Sequence, residues 1–242
     1  MPGIDFFDVD HTLTRRSSGS RFLAAALRRK VLPRRLLLVL PWYSLTYRLG
    51  LFRPGAYEKG FPYMRGIART TLEEVARESF DRALKADLFP ETVELVNRLR
   101  AKGRRVMLAT SSLDIIVKPL AEYLHVDGLL ATSLEFDGGA CTGRLNGMPM
   151  FRLEKKERVL SFIAAQGVPA GECSFYSDSI NDLPLLEAVG TPVAVNPDFR
   201  LRRIARKRGW TIRDISAARP APQSPGISRR WRKNLCPREI HQ

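Results

Sequence analysis

Asp8 and Asp10 stand two apart in the run Asp8-Val9-Asp10-His11-Thr12-Leu13-Thr14, at the end of a short apolar stretch from Ile4 to Val9. Where a strand ends, the chain leaves regular pairing and both carboxylates can turn into one cleft. One can attack phosphorus as a nucleophile while the other protonates the leaving oxygen. A solvated turn uses the same residues, and the pair alone does not separate the two readings.

Three further groups have the same double character. Thr110-Ser111-Ser112 follows a second apolar stretch, where a hydroxyl or backbone N–H can hold a phosphate oxygen; Ser and Thr are also common helix caps. Asp178-Ser179-Ile180-Asn181-Asp182 follows a third stretch and offers oxygen ligands for a hard cation such as Mg2+, or simply acids at a helix start. Lys155-Lys156 begins a helical pattern carrying Val159, Leu160, Phe162 and Ile163, so either lysine is a cation for the cleft or a surface charge. Together they make up what phosphoryl transfer requires: a nucleophile, an acid, a cation, and donors for the equatorial oxygens.

The elements that must position these groups are legible as apolar runs rich in β-branched and aromatic residues: Ile4 to Val9, Arg105 to Ala109, Cys173 to Tyr176 and Thr191 to Val195. Helical patterns such as Glu91 to Lys102 separate them. This alternation predicts an α/β fold, a three-layer Rossmann-like parallel sheet with ligands at the carboxyl ends of the strands. Residues 15–85 break the rhythm with a helical, Arg- and Leu-rich insert between core segments 1–14 and 86–215. Ser133 to Met150, with Gly138, Gly139 and Gly143, reads as a small hairpin. Residues 216–242 carry six Lys or Arg against one Glu, with little periodicity, and read as a disordered basic tail.

The ordered set Asp8-x-Asp10-x-Thr12, Thr110, Lys156, and Asp178 with Asp182 resembles the four motifs of the haloacid dehalogenase superfamily. The runs Tyr176 to Glu187 and Pro192 to Pro197 look like its subfamily IB, the phosphoserine phosphatase-like proteins. The resemblance covers residues 4–215, with the insert matching in position and helical character. It implies Asp8 as the nucleophile that forms an aspartyl-phosphate, and Asp10 as the general acid that later activates water. It further implies Mg2+ held by Asp8, Asp178 and the Asp10 backbone carbonyl. Thr110, Ser111 and Lys156 would hold the phosphoryl oxygens, with Asp182 and Asn181 in support. Lys156 is preferred to Lys155 for its spacing to Leu160. His11 departs from the family's glycine or small residue, and Tyr176-Ser177 stands before Asp178 where a glycine is common.

The insert is expected to be a helical cap that closes over the site and selects the leaving group. Phosphoserine-specific relatives carry an acid about nine positions after the nucleophile; here Ser17 stands there, beside Arg15 and Arg16. Leu36 to Leu45, with Pro41, Trp42 and Tyr43, follows Arg28, Arg29, Lys30, Arg34 and Arg35. That run (extended to residue 47) is too short to span a bilayer but suited to its surface, or to a buried cap helix. The substrate expectation leans to a phosphorylated lipid, phosphatidylglycerophosphate or lysophosphatidate, with peripheral contact at an anionic membrane. A soluble small-molecule phosphatase, such as a phosphoserine phosphatase, is the alternative, and transfer to an alcohol instead of water remains open.

Composition bounds these readings. Among 242 residues, 44% are hydrophobic and 27% charged, which excludes wholesale disorder and a multi-span membrane protein. A net charge of +15 favours anionic partners. A basic nucleic-acid binder without catalysis is the competing class, drawn from Arg229, Arg230, Trp231, Arg232 and Lys233, but no recognised nucleic-acid motif accompanies them. Three unpaired-looking cysteines, Cys141, Cys173 and Cys236, and a start without a positive n-region and long apolar stretch point to the cytoplasm.

Overall fold

The computed structural model describes residues 3–33 and 60–215. The apolar run at 36–47 and the basic tail at 216–242 lie outside the described residues. Six parallel strands form the sheet: β1 (Ile4–Phe7), β2 (Arg105–Leu113), β3 (Gly128–Thr132), β6 (Ser174–Ser177), β7 (Thr191–Val195) and β8 (Thr211–Arg213). Their order is β3-β2-β1-β6-β7-β8. A separate antiparallel hairpin joins β4 (Leu134–Asp137) to β5 (Ala140–Leu145).

Both faces of the sheet are covered because its strands alternate two apolar sets. Phe7, Val106, Leu108, Tyr176, Val193 and Val195 face one core, and Ile4, Phe6, Met107, Ala109, Phe175 and Ala194 face the other. The first core is closed by α1 (Ser18–Arg28), α2 (Arg69–Ser79), α3 (Pro90–Ala101) and α4 (Asp114–Leu124). The second is closed by α5 (Leu153–Ala165), the short α6 (Leu183–Leu186) and α7 (Phe199–Arg208). Phe7 and Tyr176 stack face to face across β1 and β6 with ring centroids 4.1 Å apart, fixing the centre of the sheet where the two acidic loops begin.

The chain leaves and rejoins this sheet through two adjacent segments. Thr14 bridges Leu88, Arg15 N donates to Asp87 O at 2.8 Å, and Phe89 N donates to Leu13 O at 2.9 Å. Arg21 then pairs with Asp87 at 2.6 Å and ties α1 to the returning strand of chain. Between these points lie α1 and α2, which pack on α4 through Phe22, Ala25, Leu72, Val75 and Ala76.

The hairpin reaches across to the same insert. Phe61 N donates to Gly143 O, Gly66 N to Cys141 O, Cys141 N to Ile67 O and Arg69 N to Gly139 O, at 2.7–2.8 Å. Gly143 has φ 81° and a side chain there would meet Pro62 Cα at 3.2 Å, so this crossing needs a glycine. Cys141 and Cys173 are buried free thiols. Among the described residues no helix is long and apolar enough to cross a membrane.

Candidate active site

The first acidic loop is built by extending β1. Asp8 N donates to Tyr176 O at 2.9 Å, one step past the strand, and the chain then coils around one carbonyl: Thr12, Leu13 and Thr14 N all donate to Val9 O. His11 takes φ 63° at the turn, the left-handed conformation that explains why a glycine suits this position, and its Nδ1 lies 3.2 Å from Arg15 O. The tight coil sends Asp8 inward, to 7% exposure, and leaves Asp10 facing the start of α1.

The second loop leaves β6 in the same direction. Thr12 Oγ1 donates to Asp178 Oδ1 at 3.3 Å, linking it to the first across 166 positions. Asp198 fixes its backbone by donating N–H to Asp178 O at 2.8 Å and accepting Ile180 N at 2.7 Å. Asp182 Oδ2 accepts Ser177 Oγ at 2.7 Å. Asn181 is buried, and its Oδ1 accepts Arg152 Nε at 3.2 Å, so it faces the entry to α5.

The lysine of the cluster is Lys155. Its Nζ donates to Asp8 Oδ1 at 2.9 Å and Asp182 Oδ2 at 2.8 Å, from a buried side chain on the first turn of α5. Lys156, expected from its spacing to Leu160, is instead about one-third exposed with Nζ 3.9 Å from Glu157. The reason is helical phase: the buried stripe of α5 is Lys155, Val159 and Ile163, at i, i+4 and i+8, and Leu160 is only partly buried against it.

Thr110 and Ser111 lie where β2 runs on past its pairing with β1, in an irregular stretch between Ala109 and Leu113. Thr110 is buried and its Oγ1 accepts Ser112 N at 3.2 Å, while Ser111 O accepts Thr132 Oγ1 at 2.9 Å. The following helix starts at Asp114, later than the serines, so its N-terminus is not the donor that Thr110 uses. Ser112, Ser17 and Ser18, none of which the sequence placed beside Asp10, all contact it. Their signal in the sequence was weak, since serines beside a helix start are ordinary caps.

Electrostatically the cluster is short of positive charge. Burial pushes the Asp8 carboxyl up to about 7 against the pull of Lys155, with Asp182 and Asp10 adding to the rise. Burial, then Asp8 and Asp182, hold Asp178 well above the usual carboxylate range. Burial works against the Lys155 ammonium, but Asp182 and Asp8 outweigh it and raise its pKa. A divalent cation would relieve this repulsion. Among the described residues no three Asp, Glu, His or Cys side chains form a metal cluster. Mg2+ needs no such cage, since one or two carboxylates plus waters and substrate phosphate suffice, so two carboxylates and a backbone carbonyl fit it.

The parallel sheet, covered on both faces and carrying the acidic cluster at its carboxyl edge, defines an α/β protein of the three-layer class, and its relatives make it a phosphatase. The chain belongs to the haloacid dehalogenase-like hydrolase family, whose model matches residues 6–187. It is 33% identical over 222 residues to a Mycobacterium tuberculosis protein named phosphoserine phosphatase, covering 89% of this chain and 72% of that one. A histidinol-phosphatase of Neisseria meningitidis serogroup C is 32% identical over 157 residues, covering 62% of this chain and 71% of its own. The crystal structure of a protein of unknown function from Bordetella pertussis Tohama I matches with a TM-score of 0.78 and 32% identity, covering 88% of this chain and 99% of that chain.

Proposed function

We propose that this chain hydrolyses a small, water-soluble phosphomonoester through a phosphorylated Asp8. The observation that carries the reading is the convergence of Asp8 and Asp182 on Lys155 Nζ at 2.9 and 2.8 Å, with Thr12 tying Asp178 to the same place. An Asp8 oxygen attacks phosphorus as the bond to the leaving oxygen breaks, and Asp10 gives that oxygen its proton. Water then attacks phosphorus, Asp10 takes its proton, and Asp8 is released with inorganic phosphate. Lys155, Thr110 and Ser111 steady the phosphoryl oxygens, Asp182 holds Lys155, and Asn181 holds Arg152. Mg2+, held by the Asp8 and Asp178 carboxylates and the Asp10 carbonyl, would neutralise charge on the phosphoryl group.

The relatives' names favour amino-alcohol phosphates such as phosphoserine or histidinol phosphate over a lipid. The lipid expectation rested on residues 36–47, outside the described residues, and no relative named above carries a lipid in its name. Ser17, in place of the acid that phosphoserine-specific relatives carry, donates to Asp10 at 3.3 Å and caps α1, so it supplies no carboxylate for an ammonium. The class of small soluble phosphomonoesters is therefore the reading, with no single member assigned.

A phosphate-release screen tests it, across phosphoserine, histidinol phosphate, sugar phosphates, nucleotides, phosphatidylglycerophosphate and lysophosphatidate, with Asp8→Asn as the blank and Mg2+ present. Turnover is expected on one or more soluble esters. Release confined to the two lipids would overturn the substrate class, and release undiminished in Asp8→Asn would overturn the mechanism.

A further inference from the structure

The Asp10 carboxylate is held from two sides. From α1, Ser18 N donates to Oδ1 at 2.7 Å and Ser17 Oγ donates to Oδ2 at 3.3 Å. From the end of β2, Ser112 Oγ lies 3.0 Å from Oδ2 as its donor. Ser112 Oγ is also 2.9 Å from Ser18 Oγ, a hydroxyl pair joining segments 94 positions apart. Ser112 is itself steadied by its N–H on Thr110 Oγ1 at 3.2 Å. A continuous series of hydrogen bonds thus runs from the buried threonine through Ser112 to Asp10 and into the first helix of the insert.

Such a grip matters because a carboxyl group turns broadly about its last torsion, whereas proton transfer demands an oxygen within hydrogen-bond reach of the leaving atom. Donors on both carboxylate oxygens, from two different segments, fix the plane of the group. Neighbouring Ser111 is used differently: its carbonyl accepts Thr132 Oγ1. Ser18 is completely buried, so its hydroxyl has no solvent to turn to and stays on Ser112.

We propose that Ser112 is a positioning residue for Asp10, aiming the carboxyl group at the leaving oxygen, and that its bond to Ser18 makes this aim depend on α1 being seated against β2. The proposal rests on the reading of Asp10 as the general acid. It extends the site to a residue at the end of β2 and another at the start of α1.

The test compares kcat/KM of the full chain with Mg2+ on two esters. Glycerol phosphate has an alkoxide that must be protonated as it leaves, while p-nitrophenyl phosphate has a phenolate that leaves unaided. Asp10→Asn is expected to lose about 100-fold or more on glycerol phosphate and far less on p-nitrophenyl phosphate. Ser112→Ala is expected to lose about tenfold on glycerol phosphate and under about twofold on p-nitrophenyl phosphate, with Ser112→Thr restoring the parent value. Ser18→Ala keeps the backbone donor, removes the far hydroxyl and shows the same selective loss at smaller size, so the test stands even if Ser112→Ala does not fold. Equal losses on both esters in the serine variants, or none, would overturn the positioning role. If Asp10→Asn itself shows no preference between the esters, the acid assignment fails first and takes the proposal with it.

Discussion

Lys155 Nζ lies 2.9 Å from Asp8 Oδ1, with the two side chains 2% and 10% exposed. The same ammonium is 2.8 Å from Asp182 Oδ2, so one cation serves two buried acids. Removing it strands both, and breaking a buried pair in this way costs about 3–5 kcal/mol. Lys155→Met should therefore lower Tm by about 10 °C in a chain of this size and reduce kcat/KM by about 100-fold or more. Lys156→Met, one residue on, removes a partly exposed side chain beside Glu157 and should change stability by under about 0.5 kcal/mol and activity hardly at all. Thermal unfolding and phosphate release on the two variants side by side check the assignment; equal losses would refute it.

The contrast between these lysines shows where the sequence was readable. Strands of dense apolar character were visible from their residues, as in Thr191–Val195, because both of their faces are buried. Gly128–Thr132 and Thr211–Arg213 were not: the first opens with a glycine and has three half-covered residues, and the second is a three-residue edge strand exposed at both ends. Asp8, Asp10 and Asp178 stood out only in combination: acids after a strand are ordinary turn residues, and it was their recurrence at the same end of successive apolar runs that marked one cleft. Lysine choice depended on helix phase, and α5 carries Leu160 and Phe162 as partly buried residues beside the true stripe, so two phases looked equally apolar. The contacts of Ser112 and Ser18 were invisible for another reason: a pairing across 94 positions leaves no local pattern.

The acidic cluster predicts a pH dependence of stability for the metal-free protein. The Asp8 carboxyl is raised from its ordinary value of 3.8 to about 7, and Asp178 is raised well above 3.8 as well. In this range the native state binds more protons than the unfolded chain, so stability falls as pH rises. The contribution is fully present below about pH 4 and is lost as pH climbs through about 7. With a chelator present, Tm corrected for other groups should decline across that window. Mg2+ should restore it most at the high end and should release protons on binding, measurable by titration in buffers of different ionisation enthalpy. A Tm rising from pH 5 to pH 7 in Asp8- and Asp178-intact protein, but unchanged in trend in their Asn variants, would count against it.

At the opposite end of the sheet, Gly190 leads into β7 and its N–H donates to Ala170 O at 3.0 Å. A Cβ on Gly190 would fall 1.8 Å from the Gly171 carbonyl oxygen, a backbone atom that cannot swing aside. Gly190→Ala should cost about 2 kcal/mol, or about 6 °C in Tm. A Cβ on Gly171 meets nothing within 4 Å, so Gly171→Ala should be close to neutral. Because both positions lie at the amino ends of β6 and β7, kcat/KM measured below Tm should match the parent in each; denaturation scans paired with phosphate release separate the two effects.

Asp178 should trade stability for function. It is buried beside Asp8 and Asp182, whose charges add to the burial that holds its carboxyl well above the usual range, so without a cation its ionised form is a standing cost at neutral pH. Asp178→Asn keeps the shape and leaves an amide oxygen that can still accept Thr12 Oγ1, while removing the charge. The metal-free variant is therefore expected to have a higher Tm than the metal-free parent at pH 7, and the difference should shrink as pH falls and vanish only well below 3.8, where the parent carboxyl is protonated in both states. With Mg2+ added the order reverses: the parent gains stability by binding, the variant gains little, and phosphate release falls by about 100-fold or more because charge on the phosphoryl group is no longer neutralised. A variant less stable than the parent in chelator at pH 7 would show that Asp178 is held by contacts that favour its charge, which is the opposite of the repulsive arrangement around Asp8 and Asp182.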